Sequence, residues 1–141
     1  MSFSNTLTLH PGHDAVTQAQ TWLESAASYY NWPGRTTFAL QLSLDEALAN
    51  VITHGFPDAG ATGTKQIKLS LAVASDHVTL TLIDNGVAYD PTRHDPHPLA
   101  ESLDEATPGG HGLRLMRHYL QDLSYHRSQG RNHLHLTAAL G

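Results

Sequence analysis

The stretch LSLDEALANVITHGF, residues 42–56, has helical spacing and carries polar groups where a buried helix is apolar. Phe38, Leu42, Ala49 and Ile52 form an apolar stripe expected to face a core. Glu46, Asn50 and His54 form a second stripe in steps of four, and side chains so spaced on a helix stack about 5–6 Å apart. A carboxylate and a carboxamide one turn apart suit water or metal ions. Taken alone, the stripe equally fits a charge pair on a solvated helix face.

Length and composition set the frame for this helix. The 141 residues suffice for a single domain over 1–141, with a continuous core that needs no disulfide or metal staple. With 40% apolar and 15% charged residues the chain is globular rather than disordered. Thirteen acidic residues against eight basic ones leave a formal charge of −5, which argues against a nucleic-acid partner because phosphate contacts dominate that affinity. The absence of cysteine fits a reducing compartment. No apolar run approaches the roughly 18 residues of a membrane span, and no basic-then-apolar leader opens the chain. A cytoplasmic protein without membrane contact is expected.

Outward from the helix, residues 5–9 alternate as a short strand broken by Pro11-Gly12, and Asp14 can cap a first helix. Val16, Ala19, Leu23, Ala26 and Tyr30 make the apolar face of that helix, which ends at NWPG, residues 31–34. Trp22 and Trp32 read as core and loop anchors. Thr36 or Thr37 should open the second helix, and Gly55 should close it. Residues 57–64 read as a loop. Ile67, Leu69, Leu71 and Val73 alternate with polar residues, as do Val78, Leu80 and Leu82, with a turn at Ser75-Asp76, which predicts a hairpin with one buried face. It ends at Asp84-Asn85-Gly86. Residues 87–108 hold four prolines and no regular pattern, and a loop this long is usually functional or disordered. Gly109-Gly110-His111-Gly112 leads into a third helix over 113–121, and a closing hairpin over 123–127 and 132–139 turns at Gln129-Gly130. The sum is an α/β (α+β) two-layer sandwich, with a mixed, largely antiparallel sheet of about five strands and three helices on one face.

Three motifs stand in order: DEALANVITHG from Asp45, DNGVAYDP from Asp84 and GGHGLRL from Gly109. Together they resemble the GHKL (HATPase) ATP-binding superfamily, whose domain has the Bergerat-type fold. The segment GGHGLRLMRHYLQDLSYHRSQGRNHLHL, residues 109–136, is most similar to stand-alone RsbW-type anti-sigma-factor serine/threonine kinases. The resemblance runs from about residue 7 onward.

The resemblance implies ATP and Mg²⁺ as ligands. It makes Asn50 the metal-holding residue through the ATP phosphates and Glu46 the general base. It makes Asp84 the acceptor of the adenine amine, with Gly86 giving the ring close access. Gly110 and Gly112 would offer amides to phosphates at a helix N-terminus, where the dipole also favours anions. His54, His111 and Leu113 would line the nucleotide, and residues 87–108 would form an ATP lid. Ala88 stands where the family often has glycine or proline. Asn132 takes the place of a threonine beside adenine. No lysine follows Lys68, so Arg114 is the nearest side chain to meet phosphate charge, although Arg114 and Arg117 also read as a solvated helix face.

The function implied is an anti-sigma kinase that holds a sigma factor and phosphorylates a serine of a STAS-type anti-anti-sigma protein. Family members often form homodimers. A nucleotide-dependent switch without phosphoryl transfer and a stand-alone histidine-kinase-type ATPase domain are the alternatives. Eleven histidines, with His94 and His97 in the loop and His133 and His135 on one strand face, also raise a zinc site, for which no third clear ligand is evident.

Overall fold

The alternation that predicts a hairpin builds the middle of a five-stranded sheet. The structure, a computed structural model, describes residues 3–12, 14–55, 65–93 and 108–141, without the side chains of 54, 55, 93 and 108–111. In chain order the elements are β1 (Thr6–Leu9), α1 (Ala15–Tyr30), α2 (Gly34–Asn50), β2 (Ile67–Val73), β3 (His77–Asp84), α3 (Pro108–Tyr119), β4 (Asp122–Ser128) and β5 (Arg131–Ala139). The strand order is β1-β2-β3-β5-β4. All four pairings are antiparallel, so the described sheet has no parallel component.

Leu69, Leu82 and Leu134 share one row across β2, β3 and β5, and Leu71, Leu80 and Leu136 share the next. All six are buried with Leu23, Leu40, Leu44, Leu48 and Met116 of the three helices in one core. The opposite strand phase, with Thr79, Thr81, His133, His135 and Thr137, remains partly exposed. The closing turn has Gln129 at φ 53° and Gly130 at φ 74°. Two consecutive positive φ values make the type I′ geometry whose twist matches paired strands.

Helix α1 buries Ala19, Leu23 and Ala26 as expected, with Val16 and Tyr30 packed against the core. Trp22 and Trp32 are both buried, and the Trp22 indole donates to Ser4 O at 3.0 Å, tying the segment before β1 to the helix. Asp14 precedes the helix but makes no capping bond. Its carboxylate instead accepts from the Gln18 amide at 3.4 Å.

Helix α2 departs from expectation at both ends and in its orientation. It begins at Gly34, directly after Pro33, because Thr36 and Thr37 turn their hydroxyls to Ala139 O (2.6 Å) and Pro33 O (3.3 Å) rather than capping. The buried face is Thr36, Ala39, Leu40, Ser43, Leu44, Ala47 and Leu48. At about 100° per residue this face lies opposite Phe38, Leu42 and Ala49 of the expected stripe, whereas Ile52, in the π-helical segment that follows, does pack against the core. The sheet takes the side where alanine and serine alternate with leucine, which allows close approach. Phe38 is 50% exposed and meets Tyr119 of α3 edge to face at 5.1 Å. After Asn50 the α-helix gives way to a π-helical segment, Val51–Gly55.

Helix α3 begins at Pro108, so the glycines fall inside it, and it ends at Tyr119. Within the segment expected to be patternless, Pro91–Arg93 forms one 3-10 turn. Residues 94–107, most of the expected lid, and the loop over 57–64 lie outside the described residues.

Candidate functional site

Strand alternation sets the floor of the site. The core-facing phase of β3 runs Val78, Leu80, Leu82, Asp84, and that of β5 runs Asn132, Leu134, Leu136, Ala138. Asp84 and Asn132 are direct cross-strand partners, and the same row continues to Arg127 on β4. Two polar residues therefore hold core positions at one end of the sheet, each only 4% exposed.

Such burial requires hydrogen bonds. The Asn132 amide donates to Asp84 Oδ1 at 2.9 Å and to Val87 O at 2.8 Å. Its oxygen accepts from the Tyr125 hydroxyl, from Arg127 Nη1 at 3.1 Å and from Tyr89 N at 3.4 Å. Gly86 N also donates to Asp84 Oδ1, at 2.9 Å, closing an Asx turn. Both bonds to Asp84 thus fall on Oδ1. Among the described residues none is made to Oδ2, which leaves that oxygen for the cleft that Asp84 lines.

The cleft is shallow and open to solvent, with an enclosed volume of about 20 Å³. Ala47, Asn50 and Val51 form its helical wall, and Tyr89, Pro91, Tyr125 and Leu134 line the rest with Asp84 and Asn132. Glu46 and Asn50, one α-helical turn apart, are both half-buried. His54 falls in the π-helical segment, where the bonding step lengthens to five residues, so the three-residue stack breaks after Asn50. The His54 side chain lies outside the described residues.

Glu46, one turn before the cleft residue Asn50, packs against α3. A Cβ placed on Gly112 would fall 1.9 Å from Glu46 Cδ and 2.0 Å from Oε1, so the carboxyl group rests directly on the glycine. Burial, and then the neighbouring Asp45 charge, push the Glu46 carboxyl above the ordinary carboxylate range. Burial and then Glu46 likewise raise the Tyr89 hydroxyl, which places the two groups in common surroundings.

Gly110 stands in the first turn of α3, where amides lack helical partners, and Gly112 stands in the second, where an α-helical amide is already bonded. Gly112 also packs against Glu46, where no larger side chain would fit unless Glu46 moved. The side chain of His111 lies outside the described residues. Leu113 is buried in the core. Arg117 is not a purely solvated residue: it donates to Thr92 O at 2.9 Å, joining α3 to the loop after Asp84.

Sequence reading passes over Tyr125 and Arg127, and takes Tyr89 and Pro91 only as part of the motif from Asp84 without a place in the site. Tyr125 and Arg127 alternate in phase with Leu123, which is the available signal. On the open sheet face His126 stacks on His133 and His135, with ring centroids 4.5 and 5.1 Å apart. Among the described residues no group of three or more His, Asp or Glu could hold a metal ion. His94 and His97 lie outside those residues.

Comparison with known proteins places this cleft in context. The family model described as "Histidine kinase-like ATPase domain" matches residues 10–138. The serine/threonine-protein kinase BtrW of Bordetella bronchiseptica is 46% identical over 137 residues, covering 97% of this chain and 94% of that protein. An anti-sigma F factor of Bacillus licheniformis is 30% identical over 82 residues, 57% of this chain and 53% of its own length. The crystal structure of the RsbU and RsbW domains of Rv1364c from Mycobacterium tuberculosis superposes with a TM-score of 0.66 at 15% identity. That match covers 96% of this chain and 32% of the other, and shows a shared fold.

Proposed function

Because the chain belongs to the histidine kinase-like ATPase domain family, we propose that it is an ATP-dependent serine/threonine kinase acting as an anti-sigma regulator. It holds a sigma factor and phosphorylates a serine of a STAS-type anti-anti-sigma protein. The observation that carries the nucleotide reading is Asp84: one carboxylate oxygen is occupied by protein donors and the other, unbonded among the described residues, is left for the cleft that Asp84 lines. Near full-length similarity to a named serine/threonine-protein kinase supports transfer to a hydroxyl. The anti-sigma F factors among the relatives support the choice of partners.

In this reading the free oxygen of Asp84 accepts the exocyclic amine of adenine, and Gly86 gives the base room to approach. Asn50, on the cleft wall, offers a hard oxygen donor of the kind Mg²⁺ prefers. The absence of a three-ligand protein cluster among the described residues fits an ion whose remaining ligands are phosphate oxygens. When bound, magnesium neutralises phosphate charge. Gly110 offers its amide in the first turn of α3, where an α-helix leaves N–H groups without intrahelical partners. The partner's serine oxygen attacks the γ-phosphorus, its proton passes to Glu46, and ADP leaves with the electrons of the broken bond. The raised Glu46 carboxyl suits a group that takes a proton during transfer.

Labelled ATP incubated with the protein and a STAS-type partner tests the class directly. Glu46→Gln is expected to retain Mg-ATP binding while transfer falls by about 10²–10⁴, the usual worth of a general base. Asn50→Ala is expected to lose metal-dependent binding and transfer together. Parental transfer by Glu46→Gln would remove Glu46 as the base. A parent protein that binds ATP but labels no serine would replace the kinase with a nucleotide-dependent switch.

A further inference from the structure

The row Arg127–Asn132–Asp84 contains a carboxamide with no spare bonding capacity. An asparagine has two donor hydrogens and one acceptor oxygen with two lone pairs. Here both hydrogens are taken, by Asp84 Oδ1 and Val87 O. The oxygen faces three donors, from Tyr125, Arg127 and the Tyr89 backbone. Arg127 Nη1 also donates to Gly86 O at 2.9 Å, so one guanidinium holds both the asparagine and the turn beneath it.

A flip of this amide would set its NH₂ against a guanidinium and a backbone N–H. It would also set its oxygen against a carboxylate and a carbonyl. Four of the five bonds would become like-to-like contacts, and only the Tyr125 hydroxyl could turn to accept. The orientation of Asn132 is therefore imposed by Arg127 of β4 together with the Val87 and Tyr89 backbone, and it passes to Asp84. A carboxylate only accepts hydrogen bonds, so while Asn132 presents N–H to Oδ1 the Asp84 carboxylate is held in place with Oδ2 as the acceptor left to the cleft. An acceptor at that point favours a purine with a 6-amino group over one with a 6-oxo group. If Asn132 turns its oxygen toward Asp84, two acceptors repel, the carboxylate rotates away and the preference for a 6-amino purine weakens.

We propose that Tyr125 and Arg127 are the specificity-setting positioning residues of the cleft: by holding the Asn132 amide they fix the Asp84 carboxylate with its second oxygen as the acceptor in the cleft and so select 6-amino over 6-oxo purine nucleotides. The proposal rests on the nucleotide reading above. It adds a lock on the neighbouring strand that does not need to touch the nucleotide's reacting end.

The test compares ATP with inosine triphosphate, which differs at the purine 6-position. Calorimetric affinities for both, with Mg²⁺, are measured for the full chain, for Tyr125→Phe, for Arg127→Gln and for the double variant. The parent should prefer ATP. The double variant should lose about tenfold of that ratio, the scale of one hydrogen bond to a charged group. Tyr125→Phe and Arg127→Gln should each give part of the loss. Arg127→Lys, which keeps a charged donor, should restore most of the ratio relative to Arg127→Gln. Asp84→Asn serves as the reference for a cleft without the acceptor, and should bind ATP weakly with little preference. If the variants lose affinity for both nucleotides equally, the residues are merely structural and the proposal fails while ATP binding stands. If the parent binds neither nucleotide, the nucleotide reading itself fails.

Discussion

Glu46 shows how much one side chain depends on its neighbours. Its carboxyl group is raised first by burial, beside Gly112 and Tyr89, and second by the charge of Asp45 on the same helix. A base must be ionised to accept a proton, so phosphoryl transfer is expected to fall as pH drops, with the acid limb centred above the ordinary carboxyl value of 4.5. Asp45→Asn removes the second cause and should move that limb to lower pH, while Glu46→Gln should abolish it. Transfer rates at saturating Mg-ATP across the acid range check this. A limb unmoved by Asp45→Asn would show that another group titrates there.

At the scale of elements, the β4–β5 hairpin matters because it carries Tyr125, Arg127 and Asn132 to the cleft. Its turn places a non-glycine residue, Gln129, in the left-handed region, next to Gly130. Asparagine and glycine tolerate that conformation better than glutamine. Gln129→Asn is expected to stabilise the fold by a few tenths to about 1 kcal/mol, and Gly130→Ala to destabilise it by about 1–2 kcal/mol. Urea unfolding of the two variants checks the signs. A stable Gly130→Ala protein would mean that the turn relaxes to another type. The end of α2 is a second element with consequences. Its change to π-helical bonding at Val51 sets Asn50, fixed on the α-helical cleft wall, apart from residues 51–55, and single π turns occur often at functional sites.

For the whole molecule, the uncovered sheet face makes stability depend on pH. His133 and His135 are both held below the ordinary imidazole value, by burial first and by His126 second. Arg131 lowers His133 further, whereas Asp84 and the Ser128 backbone act against the shift. His133 adds to the lowering at His135, which Asp122 opposes. The His135 Nε2···His126 Nδ1 contact of 3.3 Å requires a lone pair on one partner, so charging both rings breaks it. A pKa lower in the folded than in the unfolded chain means that the unfolded state binds the extra proton. The contribution is therefore complete above the unfolded value of about 6.5 and is lost as pH falls through the lower folded values. Glu46 has the opposite sign, since its raised value favours the fold at low pH and that gain is lost as pH rises through it. Denaturation midpoints should fall between about pH 8 and about pH 5.5, and His126→Gln should reduce the drop. An identical drop in that variant would place the proton uptake elsewhere.

What the sequence determined by itself was local. The two-residue alternation from Ile67 to Leu82, the helical period of α1 and the turn residues Gln129-Gly130 are legible because backbone geometry imposes those periods within a few residues. The motif around Asp84 was legible for the same reason, since its Asx turn spans only two residues. The side of α2 that meets the sheet was decided only by tertiary structure. Both sides of that helix carry apolar residues, and the sheet selected the one where Ala39, Ser43 and Ala47 allow close packing, leaving Phe38 to Tyr119. Register was equally non-local. Arg127, Asn132 and Asp84 come into one row because β5 pairs between β4 and β3, across separations of 5 and 48 residues. Local pattern cannot reveal which polar residues share a buried row, because hydrogen-bonded pairing between distant strands decides it. In this protein that pairing gives Asp84 the partners that set what its remaining oxygen can recognise.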